Sequence, residues 1–112
     1  MNNELVKIDD LSLPLQQKAV QEFAKFYIRL FKHENLEIVA NISSNFVVDI
    51  NDVINRNRHL NTEDLIERSS AASFKQYLKI LEKIDQSYYD TGNVQISWSD
   101  WEAEQQNKLA TA

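Results

Sequence analysis

From Leu13 to His33 the apolar residues recur with helical spacing. Val20, Phe23, Tyr27, Leu30 and Phe31 fall at i, i+3, i+7, i+10 and i+11, which lines one face of an α-helix. Ala19, Ala24, Phe26 and Ile28 widen the stripe on both sides to more than half of the circumference. A surface helix of a small monomer needs a stripe only about 100° wide. The pattern therefore predicts a long central helix over residues 13–33, or one that keeps a face for a partner, and Phe26 and Ile28 would form that dimer face. Pro14 suits the first turn, where its missing N–H leaves nothing unsatisfied, with Ser12 or Leu13 as the preceding cap.

Other segments read less uniformly. Residues 4–8 alternate as a short strand, followed by a turn at Asp9–Asp10. Leu36 to Ile42 and Phe46 to Ile50 are β-branched runs separated by Ser43-Ser44-Asn45, which predicts a small hairpin near 36–50, with a continuous helix as the alternative because no glycine marks the turn. Asp49 or Asn51 would cap a short helix through Val53 and Ile54. Asn61 or Thr62, with Glu63 and Asp64 behind it, is a helix-start signal. It opens a helical region near 62–89, interrupted at Ser69-Ser70 and carrying a stripe of Phe74, Tyr77, Leu78, Leu81, Ile84 and Tyr88. Gly92 suits a left-handed helix C-cap, Val94, Ile96 and Trp98 alternate, and Ser99-Asp100-Trp101-Glu102 has the form of a capping box for a last helix near 100–109. The expected fold is thus α+β and helix-dominated, with residues 1–89 as one compact domain and 90–112 as a C-terminal tail ordered by a partner.

Composition supports the helical weighting. The 112 residues include a single glycine and a single proline, too few for the regular turns of an all-β chain. Cysteine is absent, which removes disulfides and thiolate metal sites and suits a reducing compartment. The opening MNNELVKIDD has no basic segment followed by an apolar one, and no apolar run approaches the ~20 residues that span a bilayer, so a cytoplasmic location is expected. The net charge of −5 is uneven. Up to Glu34 acids and bases balance, whereas Asp85, Asp90, Asp100, Glu102 and Glu104 meet no basic residue until Lys108. Such a run repels nucleic-acid phosphate and steers a basic protein; a plain solvated acidic face is the simpler alternative.

No catalytic or cofactor signature survives inspection. Asp90-Thr91-Gly92 matches the aspartic-protease triplet, but that chemistry needs two such carboxylates sharing a proton in a strand-rich fold. His33 with Glu37, and His59 with Glu63, have i,i+4 spacing, yet each pair spans an expected helix break and two ligands do not make a zinc site. Asp49-Ile50-Asn51-Asp52 starts like a calcium loop but has Ile54 where glycine is needed and Leu60 where glutamate is needed. Arg56-Asn57-Arg58-His59 could touch phosphate, although a loop salt bridge to Glu63 or Glu67 explains it as well. The expectation is a binding protein rather than an enzyme, with neither metal nor cofactor.

The C-terminal stretch offers interface chemistry. Tyr88, Tyr89, Trp98 and Trp101 stand among Asp100, Glu102 and Glu104, and tryptophan and tyrosine dominate interface energetics. Equally, Trp98 could plug the core and Trp101 lie half exposed. The segment from Asp90 to Glu104, DTGNVQISWSDWEAE, resembles the ending of the prevent-host-death (YefM-type) bacterial antitoxins: a Gly turn, a short apolar pair, Ser-Trp, then a Glu-rich helix. Leu13-Pro14-Leu15-Gln16-Gln17 is similar to the start of a related group of small antitoxins. The chain departs from the family in its longer, more aromatic first helix and in an N-terminal half that is not net basic, which argues against operator DNA binding. The resemblance implies an inhibitor whose tail wraps a basic, ribonuclease-type toxin, with Trp98, Trp101, Glu102 and Glu104 in contact. The rival readings are an anti-defence or immunity inhibitor that mimics nucleic acid, and a structural homodimeric subunit.

Overall fold

A computed structural model describes residues 4–111, with the side chains of 109–111 left aside; the ends of the two expected segments, residues 1–3 and 112, lie outside the described residues. The long stripe becomes α1, Leu13–Lys32, with Pro14 in its first turn and Ser12 before it. Ala19, Val20, Phe23, Ala24, Phe26, Tyr27, Ile28 and Leu30 are all buried. α1 is surrounded because its apolar arc is too wide for one neighbour: it packs on α4 (Thr62–Ala72), α5 (Phe74–Ile84), α6 (Trp98–Thr111) and a 3₁₀ turn at Ile8–Asp10.

The α+β expectation is wrong. The predicted hairpin is replaced by a one-turn helix α2, Glu37–Ala40, and by α3, Ser44–Arg56. Val47, Ile50 and Ile54 have the i, i+3, i+7 spacing of one helix face and all three are buried in α3, which packs on α4 and α5. Burial of that face outweighs the mild helix penalty of β-branched residues. Asp49 and Asn51 consequently lie inside α3 and cap nothing. Extended pairing among the described residues is confined to two isolated antiparallel bridges, Val6 with Tyr88 and Tyr88 with Val94. The expected strand at 4–8 therefore shrinks to a single bridge residue followed by the 3₁₀ turn.

Helix boundaries also shift. Asn61 caps α4, its Oδ1 accepting from the Asp64 N–H at 2.8 Å. The break between α4 and α5 falls at Ser73, not at Ser69-Ser70. Ser69 stays helical and buried, and its hydroxyl shares a 2.6 Å hydrogen bond with the Tyr77 hydroxyl. α5 ends at Ile84, with Asp85 in the left-handed region at φ 59°, so Tyr88 lies beyond the helix and Gly92 is not its cap. Gly92 instead closes a turn, donating to the Tyr89 carbonyl at 3.0 Å with φ 87°. α6 starts at Trp98 and is capped by Ser97, whose Oγ accepts from the Asp100 N–H at 3.2 Å; Ser99 lies inside the helix.

α1 ends in a Schellman motif. The Asn35 N–H donates to the Leu30 carbonyl at 2.9 Å and the Glu34 N–H to the Phe31 carbonyl at 3.2 Å. The left-handed position, φ 54°, is held by Glu34, where glycine is usual.

Rings from α1, α5 and α6 form one continuous cluster. Phe23 meets Trp98 at 4.8 Å between centroids and Tyr77 edge-on at 6.0 Å, Phe26 stacks on Trp98 at 5.7 Å, and Trp101 meets Trp98 edge-on at 5.6 Å. The last helix is therefore part of the same core as α1.

Candidate functional site

Three of the seven residues expected to grip a partner are internal, both tryptophans among them. Trp98 and Trp101 are 8% and 6% exposed and Tyr88 is 1% exposed. The Tyr88 hydroxyl has no hydrogen-bond partner among the described residues, and burial pushes its pKa well above the ordinary tyrosine value. Phe26 and Ile28 are equally unavailable for a dimer face at 6% and 1% exposure, because Trp98 and Trp101 cover Phe26. Glu102 faces inward enough to pair with Arg29 at 3.0 Å, and the Arg29 guanidinium lies 5.4 Å from the Phe26 ring centre. Tyr89, Asp100 and Glu104 alone of the expected set are exposed; Glu104 pairs loosely with Lys108 at 3.9 Å.

What lies at the surface instead is the segment between α5 and α6. Residues 87–89 and 93–95 pair antiparallel through the Tyr89 N–H to the Asn93 carbonyl and the Gln95 N–H to the Ser87 carbonyl, both 2.9 Å. Val6 pairs on the other side of Tyr88 through reciprocal bonds of 2.8 and 2.7 Å. Since alternate residues of an extended chain face opposite ways, burying Tyr88 turns Leu5 and Tyr89 outward as neighbours, at 37% and 41% exposure. Ile96 follows on the same segment, 42% exposed. The buried Gln86 brackets it, donating Nε2 to the Ile96 carbonyl at 3.0 Å.

Beside this segment is a notch of about 330 Å³ between α1 and residues 92–98. Ala19, Val94 and Trp98 give it an apolar floor, while Glu22, Asn93, Gln95 and Ser97 supply polar groups at its edge. Glu22 makes no ion pair among the described residues, and neither do Asp90, in the turn after Tyr89, and Asp100, in the first turn of α6. Lys18, one helical turn before Glu22 on α1, is committed elsewhere, its Nζ donating to the Thr91 carbonyl at 3.0 Å. An apolar floor with a carboxylate at its edge suits the aliphatic stem and charged head of a lysine or arginine. Leu5, Glu22 and Ile96 were not among the residues expected from sequence. Glu22 was findable, because it lies three residues after Ala19 and four before Phe26, on the border of the stripe that α6 covers.

The other chemical motifs dissolve. Asp90-Thr91-Gly92 is a turn. Arg56 pairs with Asp52 at 2.7 Å, and Arg58 donates to Asn55 Oδ1 at 2.9 Å, so neither bridges to Glu63 or Glu67. Among the described residues no group of three or more His, Cys, Asp or Glu is placed to hold a metal ion, and no helix is long and apolar enough to cross a membrane. Comparison with known proteins adds no relative: no family model matches the chain, and neither a curated protein nor a solved structure does so.

Proposed function

We propose that this protein is a small acidic cytoplasmic inhibitor that binds a basic protein partner through a folded surface and performs no catalysis itself. The observation that carries this reading is the notch itself, an apolar floor of Ala19, Val94 and Trp98 with the unpaired Glu22 carboxylate at its edge. Asp90 and Asp100 are further exposed acids without an ion pair among the described residues. A carboxylate at the edge of an apolar notch matches a cationic side chain set in a basic surface, and the net charge of −5 adds long-range steering. The action is antitoxin-like, but the means differ from a wrapping tail. Trp98 and Trp101 already fill the core, so the partner meets the notch edge at Glu22 and the exposed acids Asp90 and Asp100 rather than the tryptophan rings. That favours a globular, immunity-type inhibitor over one that orders its tail on the toxin.

The test is capture from the native host on the immobilised full-length chain, beside a variant carrying Glu22→Gln, Asp90→Asn and Asp100→Asn. A basic protein retained by the parent and lost by the variant supports the reading. A partner held equally by both, or one that is acidic, refutes it.

A further inference from the structure

An open cleft of about 790 Å³ lies between the C-terminal end of α1 and helices α3 and α4. Phe31, Leu36 and Leu60, all only partly buried, give it apolar walls over the core residues Ile54 and Leu65, and its polar groups are mainly donors. The fully buried Tyr27 hydroxyl donates to Asn51 Oδ1 at 2.6 Å. The acceptor end of that amide is thus taken from the core side, and the NH₂ end is left for the cleft that Asn51 lines. Arg58 likewise occupies Asn55 Oδ1 through Nε at 2.9 Å, with its guanidinium 5.4 Å from the Phe31 ring centre. Its terminal nitrogens have no hydrogen bond within the described residues. Lys32 gives one of its three protons to Thr62 Oγ1 at 2.8 Å.

The carboxylate facing these donors is Glu34, held in the left-handed conformation with no ion pair among the described residues. Lys32 and Arg58 against Glu34 leave one net positive charge, which suits a monoanion better than a phosphate dianion. The geometry points to a ligand site for an amphiphilic monocarboxylate: the head group is held by Lys32, Arg58 and the two asparagine amides, and the apolar body lies on Phe31, Leu36 and Leu60. The site is built from different residues than the Glu22 notch and does not depend on it.

Titration of the full chain with decanoate, below its micelle concentration, tests the assignment by calorimetry and by the side-chain amide resonances of Asn51 and Asn55. Decanol and inorganic phosphate serve as probes of the apolar body and the charge alone. The expected result is saturable one-site binding of decanoate that shifts both amides. Arg58→Met and Lys32→Met, which keep the aliphatic stems on an exposed surface, should each weaken it at least about tenfold, as loss of a charge-assisted hydrogen bond does. Decanol and phosphate should bind at least about tenfold more weakly than decanoate. Absence of saturable binding, amide shifts confined to other regions, or unchanged affinity in both variants overturns it. Unchanged circular dichroism of the variants separates loss of binding from loss of fold.

Discussion

Trp98→Ala is the substitution that weighs the core membership of α6 most directly. Trp98 is 8% exposed, stacks on Phe26 at an interplanar angle of 18°, and presents edges to Phe23 and Trp101. Truncating a buried tryptophan to alanine costs about 3–5 kcal/mol from lost transfer energy and the cavity left behind. Loss of the ring pairs adds about 0.5–1.5 kcal/mol each, part of which the first figure already contains, so a total near 5 kcal/mol is expected. A domain of this size has about 6–17 kcal/mol of stability in all, so the variant should sit near the edge of folding. Urea denaturation followed by far-ultraviolet circular dichroism would show a large fall in midpoint with an unchanged slope, the mark of a cooperative loss. Trp98→Phe should recover roughly half of the loss, because most of the stacking area returns. If α6 were a detachable tail, Trp98→Ala would remove some helical signal and leave the midpoint within about 1 kcal/mol of the parent. That outcome would refute the core assignment.

Glu34→Gly should raise stability by up to about 1 kcal/mol, since glycine relieves the left-handed strain at φ 54° more than its extra unfolded-state entropy costs; a lowered melting temperature would contradict this. Gly92→Ala should do the reverse. Its φ is 87° and an added Cβ would come within 3.3 Å of Leu15, so a loss of about 1–3 kcal/mol is expected in denaturant titration. Burial raises the pKa values of Tyr27, Tyr77 and Tyr88 above the ordinary value of 10.0. Above about pH 10 the unfolded chain then releases protons that the folded chain keeps, and stability falls as pH rises. With about 1.4 kcal/mol per pH unit for each residue, the fall should be roughly 4 kcal/mol by about pH 11. Tyrosinate absorbance of these residues should appear together with unfolding; its appearance in a folded protein would contradict their burial.

Legibility from the sequence followed residue chemistry closely. α1 could be read because Val20, Phe23, Tyr27 and Leu30 repeat with helical period over many turns, and all four are buried. The stripe through Tyr77 and Leu81 was readable for the same reason, but its extension to Tyr88 was not. Tyr88 has helical spacing from Leu81 yet is buried through its bridges to Val6 and Val94, contacts made by segments distant in sequence. Residues 36–50 misled because β-branched side chains mimic strand propensity, while the helical period of Val47, Ile50 and Ile54 only becomes decisive once α4 and α5 cover it. The same holds for the surface. Aromatic residues amid acids fit an interface and a core plug equally well, and packing on Phe23 and Phe26 assigns both tryptophans to the core. The Glu22 notch needs α1, the 87–97 segment and α6 in place together, so no local pattern could have announced it whole.

The central proposal is that the Glu22 notch receives a cationic side chain of a basic partner. Titration of the captured partner into the parent chain and into Glu22→Gln, at low and at raised salt, tests it most directly. Loss of a charge-assisted contact of about 1.5–3 kcal/mol predicts a roughly 10- to 150-fold weaker affinity for the variant, with a smaller salt dependence than the parent. Equal affinities and equal salt dependence for parent and variant would place the partner on another surface and contradict the account.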